Sequence, residues 1–433
     1  MKKTILLLLT VYCLLLTAGA QSWHPVGIPC GANVGFLEVY NGNLYAAGAG
    51  FCFTNPCCNS WDAVGKFNGS YWDTLGIFDR VTGLGDIEEY NGELYQAGGW
   101  VLSGNPWPND FILNATGLAK WNGTKWQGVD TIKNPNGVSG VINLKYKGDL
   151  YLGGFLTSAG GINCKKIVRY NGSAWDNMLG GVDGSFFPEV RDIAVYNGDL
   201  YVAGQFDIAG AVPCNNIARW NGTQWDSVKS GVNGIIFSLF TDTVNNVLYA
   251  GGGFTSAGGI PVYYIAKWDG TKWDSVGTGV VGGIHAMTML NGELYVGGYI
   301  GSASYSDTIL AKWDGIKWTP IVGLNNGVFS LATYKGNIYA GGPFTHYGDA
   351  NGATLTNGLA CYGDSCPLNV GIQEFSVQSL KFKVYPNPAK NNITIETEEN
   401  KNFVARITNP LGQKVAEKKF QKKLEVDVSA FGK

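Results

Sequence analysis

Imidazole chemistry has little to work with in this chain. Its 433 residues include three histidines, His24, His285 and His346. None has a Ser, Cys or Asp beside it in a recognisable nucleophile arrangement. Asp and Glu sum to 33, enough for a glycosidase pair, but no spacing singles out two of them. No catalytic residue is therefore assigned. The nine cysteines contain no Cys-x-x-Cys pair; Cys57 and Cys58 are adjacent, with Cys52 and Cys30 upstream and only His24 near. Zinc sites want ligands two to four residues apart and often a histidine. These four cysteines read as disulfides of open connectivity, and neither a metal nor a cofactor is expected. What remains is aromatic. Trp100, Trp107, Phe111, Tyr263, Tyr264, Tyr299, Tyr305 and Tyr347 lie in the longer connections, with His346 beside Tyr347. Exposed rings next to Asn and Asp stack on sugar rings or anchor a protein partner. Trp100, Trp107, Tyr263, Tyr264, Tyr299, Tyr305, His346 and Tyr347 form the candidate ligand-binding set. Packing between structural units is the competing role for the same rings.

Composition indicates which elements must hold those rings. Glycine takes 63 of 433 positions, roughly twice its usual ~7% share. Aromatics reach 13% and charged residues only 15%, where ~25% charged is typical. Hydrophobic residues at 45% can bury a core, which argues against disorder. Glycine weakens helices and helix-forming charges are scarce, which argues against a coiled coil. The net charge of −2 leaves no basic field to neutralise phosphates, so no nucleic-acid partner is expected. A many-stranded all-β protein with tight turns fits this balance.

One unit recurs along the chain. Its first half reads apolar strand, Asn-Gly or Lys-Gly, strand, Gly-Gly. The copies centre on Tyr45, Tyr95, Tyr151, Tyr201, Tyr249, Tyr295 and Tyr339, spaced 44 to 56 residues apart. Its second half reads basic, aromatic, Asn/Asp-Gly, then an aromatic, as in Lys120-Trp121-Asn122-Gly123 to Trp126. Each Asn-Gly supplies the positive-φ positions of a two-residue hairpin. Two hairpins per unit at this period make a four-stranded propeller blade. Seven first halves occur, but only six second halves end in Trp. Ser22-Trp23-His24-Pro25-Val26-Gly27 matches Lys272-Trp273-Asp274-Ser275-Val276-Gly277. The N-terminal segment is therefore expected to supply the outermost strand of the last blade and close a seven-bladed ring. Strand order then puts both hairpin turns of every blade on one face. The longer and more variable connections fall on the other, where a ligand site is more plausible. The repeat resembles the kelch-like propellers over roughly residues 21–366, with a shorter aromatic-to-Trp hairpin. That resemblance implies the fold but not the function, because propellers serve as enzymes, lectins and protein-binding platforms.

The two ends of the chain read as addresses. Lys2 and Lys3 precede an apolar run from Ile5 to Leu16, and Ala18-Gly19-Ala20 gives a small-x-small cleavage pattern. Residues 1–20 read as a secretory signal, with the mature chain from Gln21. The run is too short for the ~20 residues that span a bilayer, and no transmembrane segment is expected. Export places the cysteines where disulfides form. Cys164 and Cys214 hold equivalent positions in neighbouring units, so a staple between them is expected. Cys361 and Cys366 flank a short turn that a second bridge would close. Residues 367–381 read as a linker. Beyond it, Val384-Tyr385-Pro386-Asn387-Pro388, Ile393 to Thr397, Ala405 to Val415 and Leu424 to Ser429 alternate like short strands of a small sandwich. The Tyr-Pro-Asn-Pro opening and the Asn409-Pro410-Leu411-Gly412-Gln413-Lys414-Val415 strand resemble the C-terminal sorting domain of the type IX secretion system of Bacteroidota. That resemblance implies handling by the type IX machinery and a secreted or outer-membrane surface location. It also implies an incomplete domain at residues 382–433, since the family continues through further strands.

The reading is a seven-bladed β-propeller at residues 21–366, followed by a partial Ig-like β-sandwich sorting domain. Its function is non-catalytic binding of a glycan or protein ligand. A polysaccharide-active hydrolase or lyase is the first alternative, and coupled buried carboxylates at the centre of the ring would favour it. A structural adhesion or surface-layer component is the second.

Overall fold

The computed structural model describes residues 22–26, 33–49, 61–79, 84–98, 117–133, 142–300, 309–347, 354–356, 358–367, 371–372, 382–385, 392–397, 403–408 and 414–427. These residues are strands and turns; the one helical piece among them is the 3-10 turn Met178–Gly180. Seven sheets of at least four strands share one plan. In the fourth sheet, Glu189–Tyr196 pairs with Asp199–Gln205, which pairs with Ile217–Trp220, which pairs with Trp225–Ser227, all antiparallel. The fifth repeats this with Ile235–Asp242, Val247–Gly253, Ile265–Trp268 and Trp273–Ser275. The first sheet, from Asn33–Tyr40 to Tyr71–Asp79, gains a short parallel strand, Gly371–Ile372, beside Tyr71 and Trp72. The seventh takes Ser330–Tyr334, Asn337–Gly341 and Leu359–Tyr362 in order. Its fourth strand is Trp23–Pro25, with Trp23 opposite Tyr362 and Pro25 opposite Ala360.

The turn residues explain the plan. Asn41 and Gly42 have φ of 50° and 72° between the paired residues Tyr40 and Asn43, as a two-residue hairpin demands. The second hairpin of each sheet uses a side chain as well. Asp269 accepts the N–H of Thr271 and of Lys272, both at 2.8 Å. Asn221 does the same for Thr223 and Gln224. These Asn and Asp residues are turn formers.

The first strand of each sheet packs against the first strands of its neighbours, and Ser330–Tyr334 packs against Asn33–Tyr40. These are called innermost strands below. Apolar side chains gather between consecutive sheets, not in one common core. Tyr151, Val190 and Trp225 meet between the third and fourth sheets. Val34, Leu37, Phe67 and Trp72 of the first sheet meet Tyr334, Tyr339 and Cys361 of the seventh.

Polar ties repeat at the same boundaries. The outer-strand indoles of Trp225, Trp273 and Trp318 donate to the carbonyls of Met178, Val228 and Val276 in the preceding sheets, at 2.7, 3.2 and 3.0 Å. The N-terminal strand enters this series at its own place. Trp23 donates to the Val322 carbonyl at 3.0 Å, and Trp72 donates to that of Val26 at 3.1 Å. On the hairpin side, Tyr146 and Tyr196 hydroxyls donate to the carbonyls of Gly198 and Asn246 in the following sheets. Tyr334 donates to Gly42 at 3.1 Å in the same manner.

The connections between second and third strands are less varied than expected. In the third, fourth and fifth sheets each folds into a small hairpin, Ser158–Ala159 with Ile162–Asn163 being the first. Ala159, Ala209 and Ala257 are fully buried beneath it. Gly160, Gly210 and Gly258 sit so close to Trp175, Trp225 and Trp273 that a Cβ would meet each indole within 3 Å. Tight contact with the outer tryptophan fixes one conformation for all three.

The cysteines divide. Cys361 and Cys366 form a disulfide. The expected Cys164–Cys214 staple is absent, and both residues are free and buried. Equivalent positions face equivalent boundaries, so Cys164 lies in the cluster between the second and third sheets and Cys214 in the next one. Burial pushes their thiols up to about 11 and 12. Cys30, Cys52, Cys57 and Cys58 lie outside the described residues. In the tail, Phe382–Tyr385, Asn392–Thr397 and Lys423–Asp427 form one sheet, and Phe403–Thr408 pairs with Lys414–Phe420.

Candidate functional site

A β-bulge interrupts the innermost strand at one recurring place. The register shifts between Val34 and Phe36, between Val190 and Asp192, between Ile236 and Ser238, and between Ile284 and Ala286. A bulge leaves one residue without a cross-strand partner and re-aims its side chain. Those residues are Gly35, Arg191, Phe237 and His285. Phe329 precedes the seventh innermost strand at the same offset from its hairpin. From the fourth sheet to the seventh these side chains touch in series. The Arg191 guanidinium lies over the Phe237 ring at 5.9 Å. Phe237 and His285 stack with centroids 4.4 Å apart and planes 8° apart. His285 meets Phe329 at 5.1 Å, and Tyr299 stands edge-on to both, at 6.0 and 5.3 Å. Enclosure, with Arg191 nearby, lowers the His285 pKa, which favours the neutral imidazole. Arg191 is itself paired with Glu189 at 2.9 Å.

Four carboxylates, Glu38, Asp86, Glu88 and Asp192, lie on the innermost strands of the first, second and fourth sheets. Asp192 accepts the N–H of its neighbour Ile193 and, across the boundary, that of Leu239, both at 2.7 Å. Protein encloses Asp192 on most sides although it keeps some contact with water, and enclosure pushes its pKa up to about 7. Asp86 is pushed well up by enclosure and then by Asp192, Glu38 and Glu88. Glu38 keeps its side chain exposed to water, yet the surrounding protein and the charge of Glu88 raise it to about 7. Glu88 is raised by enclosure, against the pull of the Lys145 backbone N–H. Glu88 and Asp192 thus each take a backbone N–H from the next innermost strand. Among the described residues, no group of three or more His, Cys, Asp or Glu is placed to hold a metal.

The residues singled out from sequence separate into three groups. Tyr263 and Tyr299 are exposed, at 60% and 54%. Tyr264 and Tyr347 are half-buried and pack against the clusters on either side of the sixth sheet. His346 bonds Thr345 Oγ1 through Nδ1 at 2.8 Å. Trp100, Trp107 and Tyr305 lie outside the described residues. Sequence reasoning missed Phe237, Phe329 and Arg191, and the exposed pair Phe186 and Phe187, which meet edge-to-face. The signal for the first three is positional. Each stands five residues before the end of its innermost strand, as His285 and Gly35 do.

Two family matches bear on this arrangement. Residues 183–330 match the Rax2 C-terminal beta propeller domain. Residues 383–433 match the secretion system C-terminal sorting domain. The chain is thus all-β, with a propeller domain and a sorting tail that implies handling by the type IX system and export. No helix among the described residues is long and apolar enough to cross a membrane. No curated protein matches the chain. Similar solved structures include the computationally designed protein Ika8, at 9% identity and TM-score 0.44, covering 79% of this chain and 99% of that one. The GH74 xyloglucanase from Xanthomonas campestris is similar at 12% identity and TM-score 0.44, covering 88% of this chain and 60% of that one. YjhT is similar at 13% identity and TM-score 0.36, with 76% and 98% covered. This chain thus spans under two thirds of the xyloglucanase. At these scores the likenesses bear on neither substrate nor activity.

Proposed function

We propose that this chain is an exported, non-catalytic binding protein built on a seven-bladed, kelch-like β-propeller. In this reading residues 1–20 are the signal, 21–366 the propeller, 367–381 the linker and 382–433 the Bacteroidota-type sorting domain. The tail delivers the propeller to the cell surface or beyond, and the propeller holds a glycan or protein ligand. The ties of Trp23 to Val322, Trp72 to Val26 and Tyr334 to Gly42 support a ring closed by the N-terminal strand.

One observation carries the binding role. Of eleven exposed large apolar residues among those described, nine lie toward the side opposite the hairpin turns: Leu179, Phe186, Phe187, Ile208, Ile260, Tyr263, Val281, Tyr299 and Val322. Only Val244 and Ile316 lie at hairpin turns. Exposed apolar residues gathered on one face mark a contact surface. The test is a glycan, polysaccharide and surface-protein array probed with the mature chain. A variant with Phe186, Phe187, Tyr263 and Tyr299 all changed to Ser loses the ligand, whereas Val244→Ser with Ile316→Ser keeps it. Equal behaviour of the two variants would sink the reading.

The carboxylates Glu38, Asp86, Glu88 and Asp192, all with raised pKa, favour a second reading, a polysaccharide-active hydrolase or lyase. Weighing against it, Asp192 and Glu88 are already occupied in tying neighbouring innermost strands together. Turnover of a polysaccharide that stops in Asp86→Asn would establish the enzyme instead.

A further inference from the structure

Among the described residues, the bulge position is filled in unlike ways on different innermost strands. In the fourth to seventh sheets it holds Arg191, Phe237, His285 and Phe329, a continuous wall of rings topped by a guanidinium and joined by Tyr299. In the first and second sheets the same offset holds Gly35 and Gly85. Gly35 is exposed, and a Cβ built on it would touch nothing within 4 Å. At Gly35 the first strand is therefore open where the others are filled, while Gly85 is buried. Polar residues follow at four of these positions, Asp192 after Arg191, Ser238 after Phe237, Ser330 after Phe329 and Asp86 after Gly85, whereas Phe36 follows Gly35 and Ala286 follows His285.

We infer that this half-walled mouth is a sugar-binding site, in which one pyranose ring stacks on the Tyr299–His285–Phe329 wall and lies in the space left by Gly35. The inference rests on the loop-face reading above and narrows it to one place and one ligand class. A sugar has the chemistry that both surfaces require. Its C–H face covers an aromatic ring, while its hydroxyls donate to carboxylates and accept from a guanidinium. An apolar peptide side chain would cover the rings but leave the carboxylates beside it desolvated without partners, which is costly.

The experiment is calorimetric titration of the mature full chain with maltoheptaose, cellohexaose, chitohexaose and polygalacturonate oligomers. At least one is expected to bind. Tyr299→Ala removes a stacking face and Gly35→Trp fills the open side; each should weaken binding roughly tenfold or more. Tyr299→Trp should retain it, which separates a lost ring from a misfolded site. Val244→Ser with Ile316→Ser, on the hairpin side, should leave it unchanged. Absence of binding by every probe overturns the inference, as does binding that survives both Tyr299→Ala and Gly35→Trp. If binding survives those two but is lost in a Phe186→Ser, Phe187→Ser variant, the loop-face reading stands and the axial site falls.

Discussion

The two faces of the propeller are made from the same repeats and have opposite character. On the hairpin face, tyrosine hydroxyls and a lysine amine are used in joining sheets, as Tyr146 and Tyr196 show, and as Lys147 shows by donating to the Asn221 carbonyl at 2.9 Å. On the loop face, exposed apolar side chains such as Phe186, Phe187 and Tyr263 stand free of the core clusters. The loop side carries indole ties between sheets as well, but it also presents side chains that no joint uses. That division is the physical basis for placing stability on one face and recognition on the other.

The contrast can be broken most forcefully at the seam. Trp72→Ala removes a buried indole and its bond to Val26, between the first sheet and the N-terminal strand. We expect a loss of about 3–5 kcal/mol in denaturant unfolding. A loss below 1 kcal/mol would mean that the N-terminal strand is not part of the structural core.

The clustered carboxylates of the innermost strands give the next effect. Their pKa values are raised in the folded chain, so the folded state holds more protons than the unfolded one across the intervening range. Stability is therefore fullest in acid and falls as pH rises from about 3.8 through about 7, the interval over which Asp192 is shifted. Thermal melts across that range should show a falling midpoint. Glu38→Gln with Asp86→Asn should flatten the slope, and an unchanged slope would place the proton uptake elsewhere.

Smaller effects sharpen the comparison. Tyr334→Phe deletes only the hydroxyl that reaches Gly42, at a cost of about 1 kcal/mol in denaturant unfolding. Phe186→Ser with Phe187→Ser, on the other face, should change stability by less than about 0.5 kcal/mol. If the loop-face pair costs more than the hairpin-face hydroxyl, the division of labour is wrong.

Much of this architecture is legible from residue types. Asn-Gly pairs mark the hairpins because few other residues accept positive φ, and Trp23 with Val26 reproduces Trp273 with Val276. The axial wall is not legible in the same way. Gly35, Arg191, Phe237 and His285 share no chemistry, and only cross-strand register reveals that a bulge ejects each of them. The Cys164–Cys214 expectation erred for a related reason. Equivalence along a repeat was taken for proximity, whereas a repeat keeps equivalent residues apart by a whole sheet.

The route by which the chain leaves its last sheet has a mechanical consequence. Tension on the tail first meets Gly371–Ile372, held by a short parallel pair to Tyr71 and Trp72. That pair can give way without disturbing the sheet beneath it. The pull then arrives at Cys366, whose bond to Cys361 bypasses the intervening slack and loads the strand Leu359–Tyr362 directly. This strand is flanked on both sides, by Asn337–Gly341 and by Trp23–Pro25. Drawing it out means breaking two ladders at once. The terminal attachment is thus a weak link in front of a strong anchor, an order that lets the tail be tugged or cut without unravelling what it carries.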